Sequence, residues 1–179
     1  MKKIELWLFA LTFSFMVSCN NQDTINESLR QFSGAKVELD TLENQIKNEH
    51  YKKDAAWKLF IYNDSTECSS CRLRELDEWK PLLKKLKERN IESVFIFSPK
   101  KDNKDVFDFV VKSKLDDANI IIDQTGYFRK INPALPNNTL LHIFLVDKKG
   151  SVVVIGNPLR NQKVLDLMLN MINTPNNRR

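Results

Sequence analysis

The sequence predicts an α/β fold class, a central mixed sheet with helices on both faces in the order β-α-β-α-β-α-β-β-α. Three observations carry that expectation. Short apolar runs at Trp57–Tyr62, Ile91–Phe97, Asn119–Asp123 and His142–Val146 have the length and composition of sheet strands. The first of them is apolar almost throughout, as a central strand buried on both faces requires. Between the runs, apolar residues recur at helical spacing, and after the fourth run the loop Asp147-Lys148-Lys149-Gly150 leads into Ser151–Ile155, a hairpin signal.

The elements follow in order. Met1-Lys2-Lys3, an apolar run from Leu6 to Val17 and the small residue Ser18 form the basic, apolar and small-residue regions of a secretory signal. The run falls short of the roughly 20 apolar residues of a bilayer span. Residues 20–34 are polar and read as a tether leading into a short helix near Glu27–Phe32. Gly34 punctuates the chain, and Lys36-Val37-Glu38-Leu39 alternates like an edge strand. Thr41–Lys53 has no strong pattern, although Leu42 and Ile46 suit one helical face.

After the central strand Trp57–Tyr62, Asn63-Asp64-Ser65-Thr66 forms a loop with helix-capping chemistry. The helix beyond it carries Leu73, Leu76, Trp79, Leu83 and Leu86 on one stripe, with Pro81 expected to interrupt and kink it. Asp102 is placed to cap a helix through Val106, Phe109, Val110 and Lys114, and a short helix is expected around Tyr127–Ile131, ended by Pro133 and Pro136. A last helix over 161–172 turns Val164, Leu165, Met168, Leu169 and Ile172 inward. Trp79 and Phe128 are expected in the core.

Composition narrows the function. The 179 residues include 42% hydrophobic ones, enough to bury a core and to exclude global disorder. Four glycines leave no glycine-rich phosphate loop, two histidines exclude a His-rich metal cage, and no cofactor is expected. The net charge of +5 is spread over basic and acidic residues that interleave, as in Lys84-Lys85-Leu86-Lys87-Glu88-Arg89. That pattern describes solvated helix faces and no nucleic-acid partner.

Of the three cysteines, Cys19 follows Ser18 at the end of the apolar run, and Met16-Val17-Ser18-Cys19 resembles a bacterial lipobox. The resemblance implies cleavage before Cys19 and its lipidation, with several acyl chains supplying the anchors that stable membrane attachment needs. A plain cleaved signal or a buried free cysteine is the alternative. The other two cysteines form one C-x-x-C pair, Cys68-Ser69-Ser70-Cys71, after a strand and at the start of a helix. Unpaired first-turn N–H groups and the helix dipole favour a thiolate there. One helical turn brings the second sulfur near the first, so the first thiolate can attack a disulfide and the second can resolve the mixed disulfide. A zinc site would need two further ligands, and no second C-x-x-C exists. A merely structural disulfide remains the alternative.

With these residues in place, 57–172 resembles the thioredoxin fold. The anchored setting and the Lys36–Leu39 strand resemble the TlpA/ResA-like membrane-anchored thiol–disulfide oxidoreductases. The match rests on Phe60-Ile61-Tyr62, Cys68-Ser69-Ser70-Cys71 and Phe144-Leu145-Val146-Asp147 with Gly150. It implies an exposed nucleophile at Cys68 and a more buried resolving thiol at Cys71. Glu67 stands where that family has Trp, and a carboxylate beside Cys68 disfavours its thiolate. Leu141 stands at the family's cis-proline position; a non-proline cis bond costs about 3 kcal/mol, so a trans peptide is expected. His142 next to it is either a proton donor to the leaving thiolate or a half-exposed strand residue, the blander reading being preferred. Glu75 is expected in solvent.

The expected organisation is therefore a signal peptide at 1–18, a lipid-anchored tether at 19–35, a thioredoxin-like domain at 36–173 and a frayed tail at 174–179. The expected function is thiol–disulfide exchange by a bacterial envelope lipoprotein, facing the periplasm or the surface. Its partners would be an exported protein disulfide or dithiol, and the membrane through the lipid anchor. Two rivals stand beside it: a Cu(I)-binding chaperone using Cys68, Cys71 and His142, since soft thiolates select that ion, and a redox-inactive thioredoxin-like binding subunit.

Overall fold

The computed structural model describes residues 24–64, 69–99, 111, 114, 115 and 118–173, with the side chains of 69–74 and 173 left aside. Five strands form one sheet: β1 (Trp57–Asn63), β2 (Ile91–Phe97), β3 (Asn119–Ile122), β4 (Ile143–Asp147) and β5 (Val152–Ile155). Their spatial order is β3-β2-β1-β4-β5. β1 pairs in parallel with β2, and β2 with β3, while β4 runs antiparallel to both β1 and β5. β1 is thus the central strand.

Side-chain alternation explains why the strands are apolar on both sides. Leu59, Ile61, Phe95, Phe97 and Leu145 face one core, packed against Leu76, Trp79 and Leu86 of the long helix Ser69–Glu88 and against Leu165 and Met168 of the C-terminal helix Gln162–Asn173. Phe60, Tyr62, Val94, Ile96, Phe144 and Val146 face a second core, closed by Phe32, Leu42, Phe128 and Leu135. Trp79 and Phe128 are buried, as expected from the sequence.

Several local expectations are modified. The long helix continues through Pro81 without interruption, and Leu82, more than Leu83, is buried on its inner face. Lys36–Leu39 does alternate, with Val37 and Leu39 buried, but only Lys36 forms a bridge, to Ser151. Gly34 N–H to Val152 O and Val37 N–H to Gly150 O complete this short edge contact. The patternless 41–53 stretch begins with a 3-10 helix, Asp40–Gln45, that buries Leu42. The N-terminal helix spans 24–32, and its Phe32 is fully buried edge-on against Phe144, with ring centroids 4.9 Å apart. The packed unit therefore reaches back into the segment expected as tether. The signal region with Cys19, most of the helix expected after Asp102, and the tail lie outside the described residues. Among the described residues no helix is long and apolar enough to cross a membrane.

Candidate functional site

The C-x-x-C motif sits where the central strand hands over to the long helix. β1 ends at Asn63, Asp64 follows, and the helix begins at Ser69, with Cys71 in its first turn. Glu67 and Cys68 lie outside the described residues. No acidic residue occupies the helix's first turn.

β4 enters the sheet beside this handover. Ile61 pairs with Ile143, and Tyr62 donates its backbone N–H to His142 O at 3.0 Å. His142 and Leu141 therefore lie across from the end of β1. They close a 3-10 turn, Thr139–Leu141, whose start is capped by Asn138 Oδ1 accepting from Leu140 N–H at 3.0 Å. All peptide bonds among the described residues are trans, Leu141 included. Leu140, on the crest of the turn, is 73% exposed, the most exposed large apolar side chain among the described residues.

His142 departs from expectation. It precedes β4 and is only 1% exposed, so the half-exposed strand reading fails. Its ring packs 5.0 Å from the Tyr62 ring, and its Nε2 lies 2.8 Å from Pro136 O. A carbonyl can only accept, which assigns the proton to Nε2 and commits that nitrogen. The reason for burial is the Pro133–Leu141 segment, which folds back and offers the ring a carbonyl.

Arg129 unites the region, and sequence reasoning missed it. From the short helix Tyr127–Ile131 its Nε and Nη2 reach Asp64 Oδ2 at 3.2 and 3.1 Å. Nη1 donates to Leu135 O and Asn137 Oδ1, and Nη2 donates to Pro136 O at 3.2 Å and lies 3.1 Å from His142 Nε2. With the proton on Nε2, both groups are donors that share Pro136 O, and the Arg–His approach is a consequence of that shared acceptor. The guanidinium also stands 5.7 Å from the centre of the Tyr62 ring, a cation–π distance. Tyr62 hydroxyl approaches Asp64 Oδ2 at 3.4 Å. Burial, and then the Asp64 charge, push the Tyr62 phenol above its ordinary value, against hydrogen bonds from Ser98 and Arg129, so it stays protonated. No local signal separates Arg129 from the neighbouring Lys130 in the sequence; an Arg in a short apolar helix is the only hint.

The short helix is aimed by Asp123. This carboxylate, 1% exposed, accepts from the backbone N–H groups of Tyr127 at 2.9 Å and Phe128 at 2.8 Å. Glu75 is not left in solvent but pairs with Arg160 at 3.3 Å, which ties the long helix to the loop before the C-terminal helix.

No protein-family model and no curated protein matches this chain. Solved structures do. The thioredoxin domain of a thiol-disulfide oxidoreductase from Bacteroides vulgatus superposes with a TM-score of 0.51 at 14% identity, covering 67% of this chain and 81% of that one. The solution structure of a protein described as a thiol-disulfide oxidoreductase from the same organism gives 0.50 at 19% identity, covering 66% and 75%. With the five-stranded mixed sheet, these likenesses establish a thioredoxin-like fold for this chain.

Proposed function

We propose that the protein is an envelope lipoprotein of the TlpA/ResA-like kind that carries out thiol–disulfide exchange through Cys68-Ser69-Ser70-Cys71. The observation that carries the reading is the place of the motif. A lone C-x-x-C spans the start of the long helix, directly after the central strand of a thioredoxin-like sheet. The two fold neighbours described as thiol-disulfide oxidoreductases support the same chemistry.

In the reductive direction, the Cys68 thiolate attacks one sulfur of a substrate disulfide. The substrate S–S bond breaks, one substrate thiolate leaves and takes up a proton, and a mixed disulfide forms. The Cys71 thiolate then attacks the Cys68 sulfur, releasing the second substrate thiol and leaving a Cys68–Cys71 disulfide. Two electrons pass to the substrate, and an external dithiol restores the pair. The helix start favours the Cys68 thiolate; the neighbouring Glu67 charge disfavours it. The substrate class is an exported protein.

The lipobox-like Met16-Val17-Ser18-Cys19 supports a signal peptide at 1–18, a lipid anchor on Cys19 and a place in the bacterial envelope, facing the periplasm or the surface. Insulin reduction by the reduced protein tests the exchange. The wild type accelerates it over a dithiol-only control, and Cys68→Ser abolishes the acceleration. Cys71→Ser accumulates a mixed disulfide. A wild type no faster than the control sinks the reading. For the anchor, Cys19→Ala moves the protein from the membrane to the soluble fraction; retention after a high-salt wash would refute lipidation.

A further inference from the structure

We propose that the end of the molecule opposite the C-x-x-C is a docking surface for anionic phospholipid headgroups, an inference that rests on the lipid anchor read at Cys19. β1 and β2 begin at this end and β4 finishes there, since Trp57 pairs with both Ile91 and Asp147. The long helix ends beside them at Glu88. Its last turn, the turn after β4 and the approach to β1 therefore meet at one pole. Each brings exposed cations: Lys85, Lys87 and Arg89 from the helix end, Lys148 and Lys149 from the turn, and Lys52, whose Nζ reaches Asn90 Oδ1 at 3.4 Å.

Complementing the helix dipole explains Lys85 and Lys87 alone. Lys52, Lys148 and Lys149 come from other segments and reach the same end. Among the described residues none of these cations makes a salt bridge, whereas Lys80 and Arg160 pair with carboxylates in the motif-side half of the long helix. Glu38, Glu49, Asp54 and Glu88 are the exposed acids near the pole, and the cations outnumber them. The surface is mostly lysine, a hydrated point charge on a flexible stem, which suits a fluid array of headgroups. Recognition of one fixed anion would call for the arginine fork.

The anchor supplies proximity. The packed helix begins at residue 24, so residues 20–23 hold the domain within ~18 Å of an acylated Cys19. Exposed charges act over about 8 Å at physiological salt, and an anionic leaflet attracts a basic cluster held that near to it. Docked on this pole, the protein holds the start of the long helix, with Cys71, about 20 Å further out, the length of β1, on the side that faces away from the bilayer.

The test uses the lipidated chain purified from membranes and reconstituted into vesicles of phosphatidylcholine, alone or mixed with phosphatidylglycerol. Trace acetylation mapped by mass spectrometry gives the labelling rate of each lysine. On the anionic vesicles Lys52, Lys85, Lys87, Lys148 and Lys149 should label about fivefold more slowly than on the neutral ones, while exposed Lys163, near the Arg160–Glu75 pair, stays within about twofold. Adding ~0.5 M salt should restore the neutral-vesicle rates, because screening confines the field to a few ångströms. The triple variant K85Q/K87Q/K149Q should lose the protection of Lys52 and Lys148 and still reduce insulin as the wild type does. Equal labelling on both vesicles, or slowing that includes Lys163, overturns the inference and leaves the anchor standing. Protection in native membranes but on neither kind of vesicle assigns the pole to a protein partner and overturns it too. A Cys19 peptide without acyl chains refutes the anchor reading, and this orientation with it.

Discussion

Single residues hold the end of the molecule opposite the C-x-x-C. Gly150 has φ +79°, and a Cβ there would sit 2.8 Å from Val37 O, where the edge contact brings backbone against backbone. Gly150→Ala should therefore destabilise by about 1–3 kcal/mol, from left-handed strain and displacement of Val37, visible as a lower Tm. Nearby, Glu43 is 11% exposed and accepts from Tyr51 hydroxyl at 2.6 Å and from Lys58 Nζ at 3.0 Å. Burial alone would raise its pKa, but Tyr51, Lys58 and Lys53 outweigh that and hold it below its ordinary 4.5. The folded state thus prefers the carboxylate, and this stabilisation is full above the ordinary value and lost as pH falls through the lowered one. Glu43→Gln should cost ~1–3 kcal/mol at pH 7, with the gap to wild type narrowing in urea unfolding as pH falls below the ordinary 4.5. A pH-independent gap would refute the ionic account.

At the scale of elements, the five-residue helix Tyr127–Ile131 is too short to stand by its own propensity. Asp123 satisfies two of its free N–H groups, Phe128 packs into the second core, and Asn132 Nδ2 bonds Phe128 O at 2.8 Å at its other end. Asp123→Ala should cost about 2–3 kcal/mol, since it strands buried donors, and Asp123→Asn should recover part of that. Unchanged stability in the Ala variant would show that the helix is held by something other than Asp123.

Across the whole molecule, the two cores are unequal in origin. The first is roofed by the long and C-terminal helices. The second is closed by scattered pieces: the 3-10 helix, the short helix, Leu135, and Phe32 from the helix at 24–32. Phe32→Ala should destabilise by ~3–5 kcal/mol, the cost of a buried aromatic truncation. A chain starting at residue 24 should unfold cooperatively near the full-length midpoint, whereas one starting at residue 36 should melt lower or bind a hydrophobic dye. Equal midpoints for the two would show that the helix is dispensable.

The order of elements was legible in the sequence because local periodicity reports burial directly. Ile91–Phe97 and Tyr127–Ile131 fall where the pattern places them, and the doubly apolar Leu59-Phe60-Ile61-Tyr62 announces a strand with a core on each side. The C-x-x-C at a strand-to-helix handover was equally legible, since strand and motif are adjacent in the chain. What only the tertiary structure decided are contacts between distant positions. Polar Arg129, Asp64 and His142 carry no periodic signal, and their meaning arises only when β4 inserts beside β1 and the Pro133–Leu141 segment folds back at the end of these strands. Phe32 escaped for the same reason: a stretch with few apolar residues looks like a tether until a sheet face is there to cover one of them. Burial of a face is a short-range property of the chain, whereas the partner of a buried charge is chosen by topology.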